Sequence, residues 1–395
     1  MRAHEERFEP RDGPLRGVVK ESVEAYLGCG RLLGGFARIR CPKCRGEHLL
    51  AFSCRTRNFC PSCQAKRAAL LAEHLEGVVA PVAHRHWVFT IPKALRALFA
   101  RERSLLALLP RCAFAAVRRH LRERAGRRDG SPGFVASIQT FGAALPFHPH
   151  VHALSTDGLF LRDGTFVPVA APDAKAVEES FRRLVIAALV KAERLSEEFA
   201  ERLLSWERSG FSVHAEQVVL EDEKDRLARL ARYMARAPLP EARVREAPDG
   251  RLLVRTPPDP RTGATEAAFP PLELIHALAQ QIPDKGQHLV RYYGAYSNRA
   301  RRLYRAAEGE EGGAGGPPPE APGDKDSDFA RARRRSWARL LRKLLEVDPL
   351  LCPKCGVEMK VVAVITDPAV IDRILGHLEA SGGKDPFDAR APPEG

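Results

Sequence analysis

Three sets of side chains in this 395-residue sequence have types and spacings that could do chemistry. The first is cysteine. Cys29, Cys41, Cys44, Cys54, Cys60 and Cys63 crowd the N-terminal part, Cys352 and Cys355 form a late pair, and Cys112 stands apart. Cys41-Pro-Lys-Cys44 and Cys60-Pro-Ser-Cys63 are separated by fifteen residues. Two residues between cysteines let one tight turn aim both sulfurs at one ion. Two such turns complete a closed tetrahedral thiolate site, the structural zinc arrangement. This reading gives Zn2+ to Cys41, Cys44, Cys60 and Cys63. Cys54 either replaces a ligand or sits buried as a small apolar residue, and Cys29 is surplus. Cys352-Pro-Lys-Cys355 is half a site, taking ligands from another segment or subunit, or else a metal-free turn. Arg45, Arg55, Arg57, Lys66 and Arg67 would give the cysteine segment either a phosphate-binding surface or simply a solvated basic rim.

The second set is His148, His150 and His152, three histidines within five residues. Side chains alternate along a strand, so His150 and His152 share a face about 7 Å apart and Val151 points the other way. Two imidazoles so arranged can pinch one divalent metal, leaving positions open for water or substrate. His148 has the same parity, but Pro149 bends the chain before it joins the strand. The third set is Tyr292, Tyr293 and Tyr296, half of the six tyrosines in the chain. Read as a helix, Tyr292 and Tyr296 share one face with His288 at i and i+4 spacing. The competing reading is an aromatic core stripe rimmed by Arg291, Arg299, Arg301 and Arg302. Together, the sets describe metal-assisted phosphoryl transfer. A divalent ion polarises a scissile phosphate, and a tyrosine hydroxyl attacks phosphorus as covalent nucleophile. The products are a 5′-phosphotyrosine and a free 3′-hydroxyl, and a second transfer rejoins the strand elsewhere.

These groups need elements to hold them. The chain has 44% hydrophobic residues, enough for an ordinary core, and a formal net charge of +13 with pI near 9.5, which points to a polyanionic partner. No apolar run approaches the roughly 18 residues of a membrane span, and the charged start lacks the pattern of a secretory signal. The expected compartment is the cytoplasm, where clustered cysteines bind metal rather than form disulfides. HRHWVFTIP reads as a strand, residues 94–126 as a long basic helix, and GFVASIQTF with HVHALSTDGLFL as an antiparallel hairpin. Residues 222–236 read as a helix stopped by Pro238, and KGQHLVRYYGAYSNRARRLYRAA as another helix. Residues 308–327 are low in complexity and read as a flexible linker. A basic helix, the late CPKC, a strand KVVAVI and a last helix near 367–379 follow.

In order along the chain, CPKCRGEHLLAFSCRTRNFCPSCQAKR, HRHWVFTIPKALR, ASIQTFGAALPFHPHVHALSTDG, RLARYMARAPLP, HLVRYYGAYSNRAR and the C-terminal block around CPKC resemble the bacterial rolling-circle insertion-sequence transposases of the HUH class, those with an N-terminal zinc-binding domain. The ordered set is specific, although no single motif decides it. The resemblance implies that His150 and His152 are the HUH pair, that Tyr292 of the RY(Y/H)G motif is the nucleophile, and that Tyr296 is the second tyrosine of two-tyrosine members. Tyr293 is a position that can be histidine in relatives. A third metal ligand is implied from the tyrosine helix or a neighbouring strand, with His288 the first candidate and Gln139 the alternative. LPF occupies a loop where relatives tend to carry Asn.

The expected fold is α+β: a central antiparallel sheet carrying the histidines, packed by helices, preceded by a zinc ribbon and followed by a CxxC segment. The expected domains are residues 1–75 (zinc binding), 78–306 (nuclease), 307–327 (linker) and 328–395 (C-terminal helix plus CxxC). The implied function is nicking and rejoining of single-stranded or hairpin DNA ends, with structural Zn2+ and catalytic Mg2+ or Mn2+. A plasmid relaxase or replication initiator would share the chemistry. A non-catalytic zinc-ribbon DNA-binding protein would need neither the tyrosines nor the histidine pair, and a cupin-like barrel would need many more strands.

Overall fold

A computed structural model describes residues 2–170, 172–259, 261–301 and 351–380. In chain order its elements begin with α1 (Arg2–Asp12), α2 (Gly17–Leu27), β1 (Phe36–Arg40), β2 (Glu47–Ala51) and α3 (Pro61–Glu76). Next come β3 (His84–Thr90), α4 (Lys93–Arg101), α5 (Leu108–Arg124), β4 (Gly133–Phe141) and β5 (Phe147–Thr156). Then follow β6 (Gly158–Phe160), β7 (Phe166–Pro168), α6 (Ala174–Lys191), α7 (Glu197–Ser205), β8 (Ser212–Val219) and α8 (Lys224–Met234). The chain continues through β9 (Val244–Glu246), β10 (Leu252–Arg255), β11 (Glu266–Phe269), α9 (Pro271–Ala279) and β12 (Val290–Gly294). It ends with β13 (Lys360–Ile365) and α10 (Pro368–Ala380). The fold is α+β with antiparallel sheets, as expected. The linker at 307–327 and the basic helix after it lie outside the described residues.

The chain divides into two compact units, one of residues 1–70 with 320–395 and one of residues 71–319. The C-terminal residues therefore join the N-terminal ones rather than standing apart. In the first unit β1 is the centre of a three-stranded sheet, pairing with β2 on one side and with β13 on the other.

The second unit is built on a five-stranded antiparallel sheet in the order β12-β4-β5-β3-β8. Residues paired across strands share a face. The register sets Val290 against Ser137, Ser137 against His152 and His152 against Val88. One face therefore carries Tyr292, Ser137, Gln139, His150, His152 and His86. The other carries Trp87, Phe89, Phe134, Ile138, Val151 and Val213, which α5 and α6 cover to form the main core. Helix α6 starts where Asp173 caps it, its carboxylate accepting from the Lys175 and Ala176 amides. Helix α8 lies over the histidine-bearing face. Its Leu227, Leu230 and Met234 pack on Leu154 and Val219, and its Ala228 and Ala231 join a cluster with Val135.

Residues 290–294 correct the expectation of a tyrosine helix. They form strand β12, pairing with β4 so that Tyr292 stands opposite Val135. Helical structure begins only after Tyr296, at Asn298. The i, i+4 spacing of Tyr292 and Tyr296 carries no helical meaning here, because the open edge of β4 satisfies the backbone of 290–294. The loop of the LPF sequence holds Leu145 at φ 61, a conformation that Asn adopts more easily. Leu145 is buried there with Leu239, Val254 and Leu274, which offsets the strain.

Candidate functional site

The cysteine sulfurs of the first unit gather in two sets of four, each with ligand atoms within 4.8 Å of one another: Cys29, Cys54, Cys60 and Cys63, and Cys41, Cys44, Cys352 and Cys355. This corrects the expected set of Cys41, Cys44, Cys60 and Cys63. The two N-terminal CxxC pairs do not share an ion site. Cys60 and Cys63 flank the start of α3 and meet Cys29, with Sγ separations of 3.7 and 3.8 Å, while Cys54 lies 3.5 Å from Cys63. Four sulfurs at about 2.3 Å from a tetrahedral ion stand about 3.8 Å apart, so the spacing fits zinc thiolates and not disulfides. Arg55 and Asn58 adopt positive φ in the loop that delivers Cys54 and Cys60. The pairing was hidden because a CxxC spacing constrains two sulfurs, and says nothing about which distant segment completes the site.

In the second unit the histidines lie together on the polar face. His150 Nε2 and His152 Nε2 are 3.1 Å apart. His150 Nδ1 lies 2.7 Å from its acceptor, the His148 carbonyl oxygen; a carbonyl cannot donate, so this contact holds the proton on Nδ1 and leaves Nε2 a free lone pair. His152 Nδ1 lies 3.1 Å from His86 Nε2. A bulge in the β3–β8 pairing brings Gln217 opposite His86, to which it hydrogen-bonds. Burial drives the His150 and His86 pKa values down to about 4 and holds His152 well below its ordinary value, so the rings are neutral near pH 7. The guanidinium groups of Arg236 and Arg96 push His150 further in the same direction.

Gln139 stands opposite His150 on β4 and is 2% exposed. Its amide nitrogen donates to the Tyr233 and Met234 carbonyls, but its Oε1 finds no hydrogen-bond partner among the described residues. A buried orphan amide oxygen on the residue paired with His150, taken with the two imidazole nitrogens, is a mixed N/O donor set of the kind that suits Mg2+ or Mn2+. Two nitrogens at right angles on an octahedral ion, each at about 2.1 Å, would stand about 3.0 Å apart, close to the observed separation. His288, the other candidate, is not on a helix. It lies exposed in the loop before β12, with its carbonyl accepting from Arg291.

Neither expected tyrosine is brought against the histidine pair. The ring of Tyr292 stands edge-on to His74 at 5.7 Å and lies under the Arg301 guanidinium, and burial lifts its pKa to about 12. Tyr296 is buried. Its hydroxyl lies 2.6 Å from His84 Nε2 and accepts from the Ala80 amide. Gly133 makes room for that ring, since a Cβ there would meet it at 2.5 Å. Gly294 turns the chain at φ 57, where a Cβ would stand 1.9 Å from the Pro132 oxygen. Tyr293 stacks on Phe114 under the opposite face. The RYYGAY segment is thus a strand end and its anchor.

Residues 133–303 match a protein family described as "Putative transposase", and residues 1–91 match one described as "Transposase zinc-binding domain". The chain carries the two domains of a zinc-binding insertion-sequence transposase. It is 26% identical over 380 residues to the transposase of insertion sequence element IS801 from Pseudomonas savastanoi pv. phaseolicola, covering 90% of this chain and 86% of that one. It is 29% identical over 295 residues to the "Putative transposase y4qJ" of Sinorhizobium fredii, covering 68% and 72%. No solved structure matches it. Among the described residues, no helix of this transposase is long and apolar enough to cross a membrane.

The transposase segment holds two features that motif reading passed over. Tyr233, on α8, stands edge-on to His152 at 5.1 Å and to His86 at 6.3 Å, and it is 42% exposed. The Arg236 guanidinium lies over the Tyr233 ring, 4.5 Å from its centroid, with its Nε buried and unpartnered among the described residues. The available signal was α8 itself, whose apolar residues fall on one stripe while Tyr233 breaks the polar one. His86 could have been found by strand parity in HRHW, but nothing local says that it pairs with His152.

Proposed function

We propose that this transposase nicks and rejoins single-stranded DNA at the ends of a mobile element through a covalent 5′-phosphotyrosine intermediate, the rolling-circle mode, with Tyr233 as the attacking residue. The observation that carries this reading is the Tyr233 ring edge-on to His152 on the helix that covers the polar face. His150, His152 and Gln139 would hold Mg2+ or Mn2+, which when bound polarises the phosphate as a Lewis acid. His86 acts through His152: its ring nitrogen against Nδ1 orients the imidazole and leaves Nε2 facing His150. Arg236, stacked on Tyr233, offers its free Nε–H to a phosphate oxygen, and Arg96 adds positive charge beside His148 and His150. The Tyr233 oxygen bonds to phosphorus and gives up its proton. The bond from phosphorus to the 3′-oxygen breaks, and that oxygen leaves as a hydroxyl after gaining a proton. With Tyr233 the single tyrosine against His86 and His152 among the described residues, the freed 3′-hydroxyl is the natural attacker of the second transfer. Arg118, Arg119, Arg127 and Arg128 line a shallow cleft at the end of α5 and suit phosphate contacts.

The test incubates full-length protein with a single-stranded oligonucleotide carrying the element's terminal sequence and Mn2+, followed by denaturing electrophoresis. A denaturant-resistant adduct mapped by peptide mass to Tyr233 supports the reading. An adduct mapped to Tyr292 or Tyr296 overturns the role of Tyr233 while keeping the chemistry.

A further inference from the structure

We infer that Cys41, Cys44, Cys352 and Cys355 bind a second structural zinc ion, so that the transposase zinc unit is completed by the C-terminal residues. The sulfurs are spaced as thiolates around one ion: Cys41 Sγ lies 3.4 Å from Cys355 Sγ and Cys44 Sγ 3.5 Å from Cys352 Sγ. Disulfides would need about 2.05 Å.

The backbone supports the same assignment independently of the sulfurs. Both halves read Cys-Pro-Lys-Cys, and both fold into the same turn. The amide four residues on returns to the first cysteine's carbonyl, Arg45 to Cys41 at 3.0 Å and Gly356 to Cys352 at 2.8 Å. The first cysteine's amide reaches five residues on, Cys41 to Gly46 at 2.8 Å and Cys352 to Val357 at 2.9 Å. The residue after each second cysteine has positive φ, 57 at Arg45 and 64 at Gly356. These are two copies of one metal knuckle. The central strand holds them together: Arg40, the last residue of β1, pairs with Glu47 at the start of β2 and with Lys360 at the start of β13. Both knuckles therefore sit at the same end of one sheet. Ile39 and Met359 pack with Cys41 and Cys352 and keep the site dry on one side.

The matched zinc-binding segment, residues 1–91, contains only half of these ligands. The other half lies 308 positions away from Cys44, beyond the entire nuclease unit. The zinc unit is thus complete only once the last part of the chain has been made, and a transposase truncated before Cys352 has an open half-site and an unpaired edge on β1.

The test measures zinc per chain by elemental analysis of full-length protein. The wild type should hold about two equivalents, one per tetrathiolate. Cys352→Ser with Cys355→Ser should hold one, and Cys54→Ser with Cys63→Ser should hold one. A wild type with one equivalent, or a Cys352/Cys355 variant that keeps the wild-type count, overturns the assignment. A second measurement needs no variant. Alkylation of wild-type protein during slow chelation should label Cys41, Cys44, Cys352 and Cys355 as one group, separate in time from Cys29, Cys54, Cys60 and Cys63. Rapid labelling of Cys352 and Cys355 while Cys41 and Cys44 stay protected would overturn it.

Discussion

Under α5 and α6, the five-stranded sheet presents Trp87, Phe89, Phe134 and Val151, all nearly inaccessible and packed on Phe181, Val185 and Leu189. One residue over in each strand, on the face under α8, the same sheet presents His86, Gln139, His150 and His152, also buried but polar, with Gln139 Oε1 left unpartnered among the described residues. The alternation that makes a strand two-faced lets one sheet do two jobs. The apolar face stabilises the fold through buried area. The histidine face gives up that stabilisation: its rings lose charge through burial, and Gln139 Oε1 stays without a partner. Buried polar groups left in this state mark a site prepared for a ligand rather than for packing.

That contrast can be broken most directly at Tyr233. Tyr233→Phe keeps the ring against His152, so DNA cleavage should fall by about 10³-fold or more while the melting temperature stays within a degree or two of wild type. Tyr292→Phe should change cleavage by less than about tenfold, and equal losses for both would erase the distinction between α8 and β12. On the apolar face the reverse holds. Phe181→Ala, at a fully buried ring against Phe89 and Phe211, should cost about 3–5 kcal/mol in denaturant unfolding, with activity per folded molecule preserved.

Gln139→Leu should weaken Mn2+ binding at least about tenfold by calorimetry. It should also cost about 1 kcal/mol of stability, because the Tyr233 and Met234 carbonyls lose their amide donor. Tyr296→Phe strips partners from His84 and the Ala80 amide and should cost about 1–3 kcal/mol, with cleavage of folded protein intact. The last test is on pH. His84, His86, His148 and His150 have folded pKa values near 4, below the 6.5 of the unfolded chain. The unfolded state therefore binds protons first as pH falls. Stability of metal-free protein should be full above pH 6.5 and decline progressively toward pH 4, as urea midpoints across that window would report. A flat profile would mean that the histidine face is not buried as described.

Much of this was legible locally. The strand carrying His150 and His152, its hairpin partner with Gln139, the helix at 222–236 and the metal character of the cysteine pairs follow from alternation, turn chemistry and two-residue spacing. Those rules act over a few residues, and the backbone obeys them wherever the segment ends up. Residues 290–296 escaped them because Tyr-x-x-x-Tyr suits a helix face as readily as a strand end followed by a turn. The open edge of β4, far away in the chain, made that choice.

The sequence by itself determined that two imidazoles share a face and that six cysteines come in metal-like CxxC pairs, because side-chain direction along a short segment is set by the backbone beside it. Only the tertiary structure decided which partners meet: Tyr233 rather than Tyr292 beside His152, Gln139 rather than His288 on the face of His150, and Cys352 with Cys355 rather than Cys60 with Cys63 opposite Cys41 and Cys44. Such choices depend on sheet order and register, which are fixed by burying one apolar face over the whole unit and leave no mark in the spacing of any single motif.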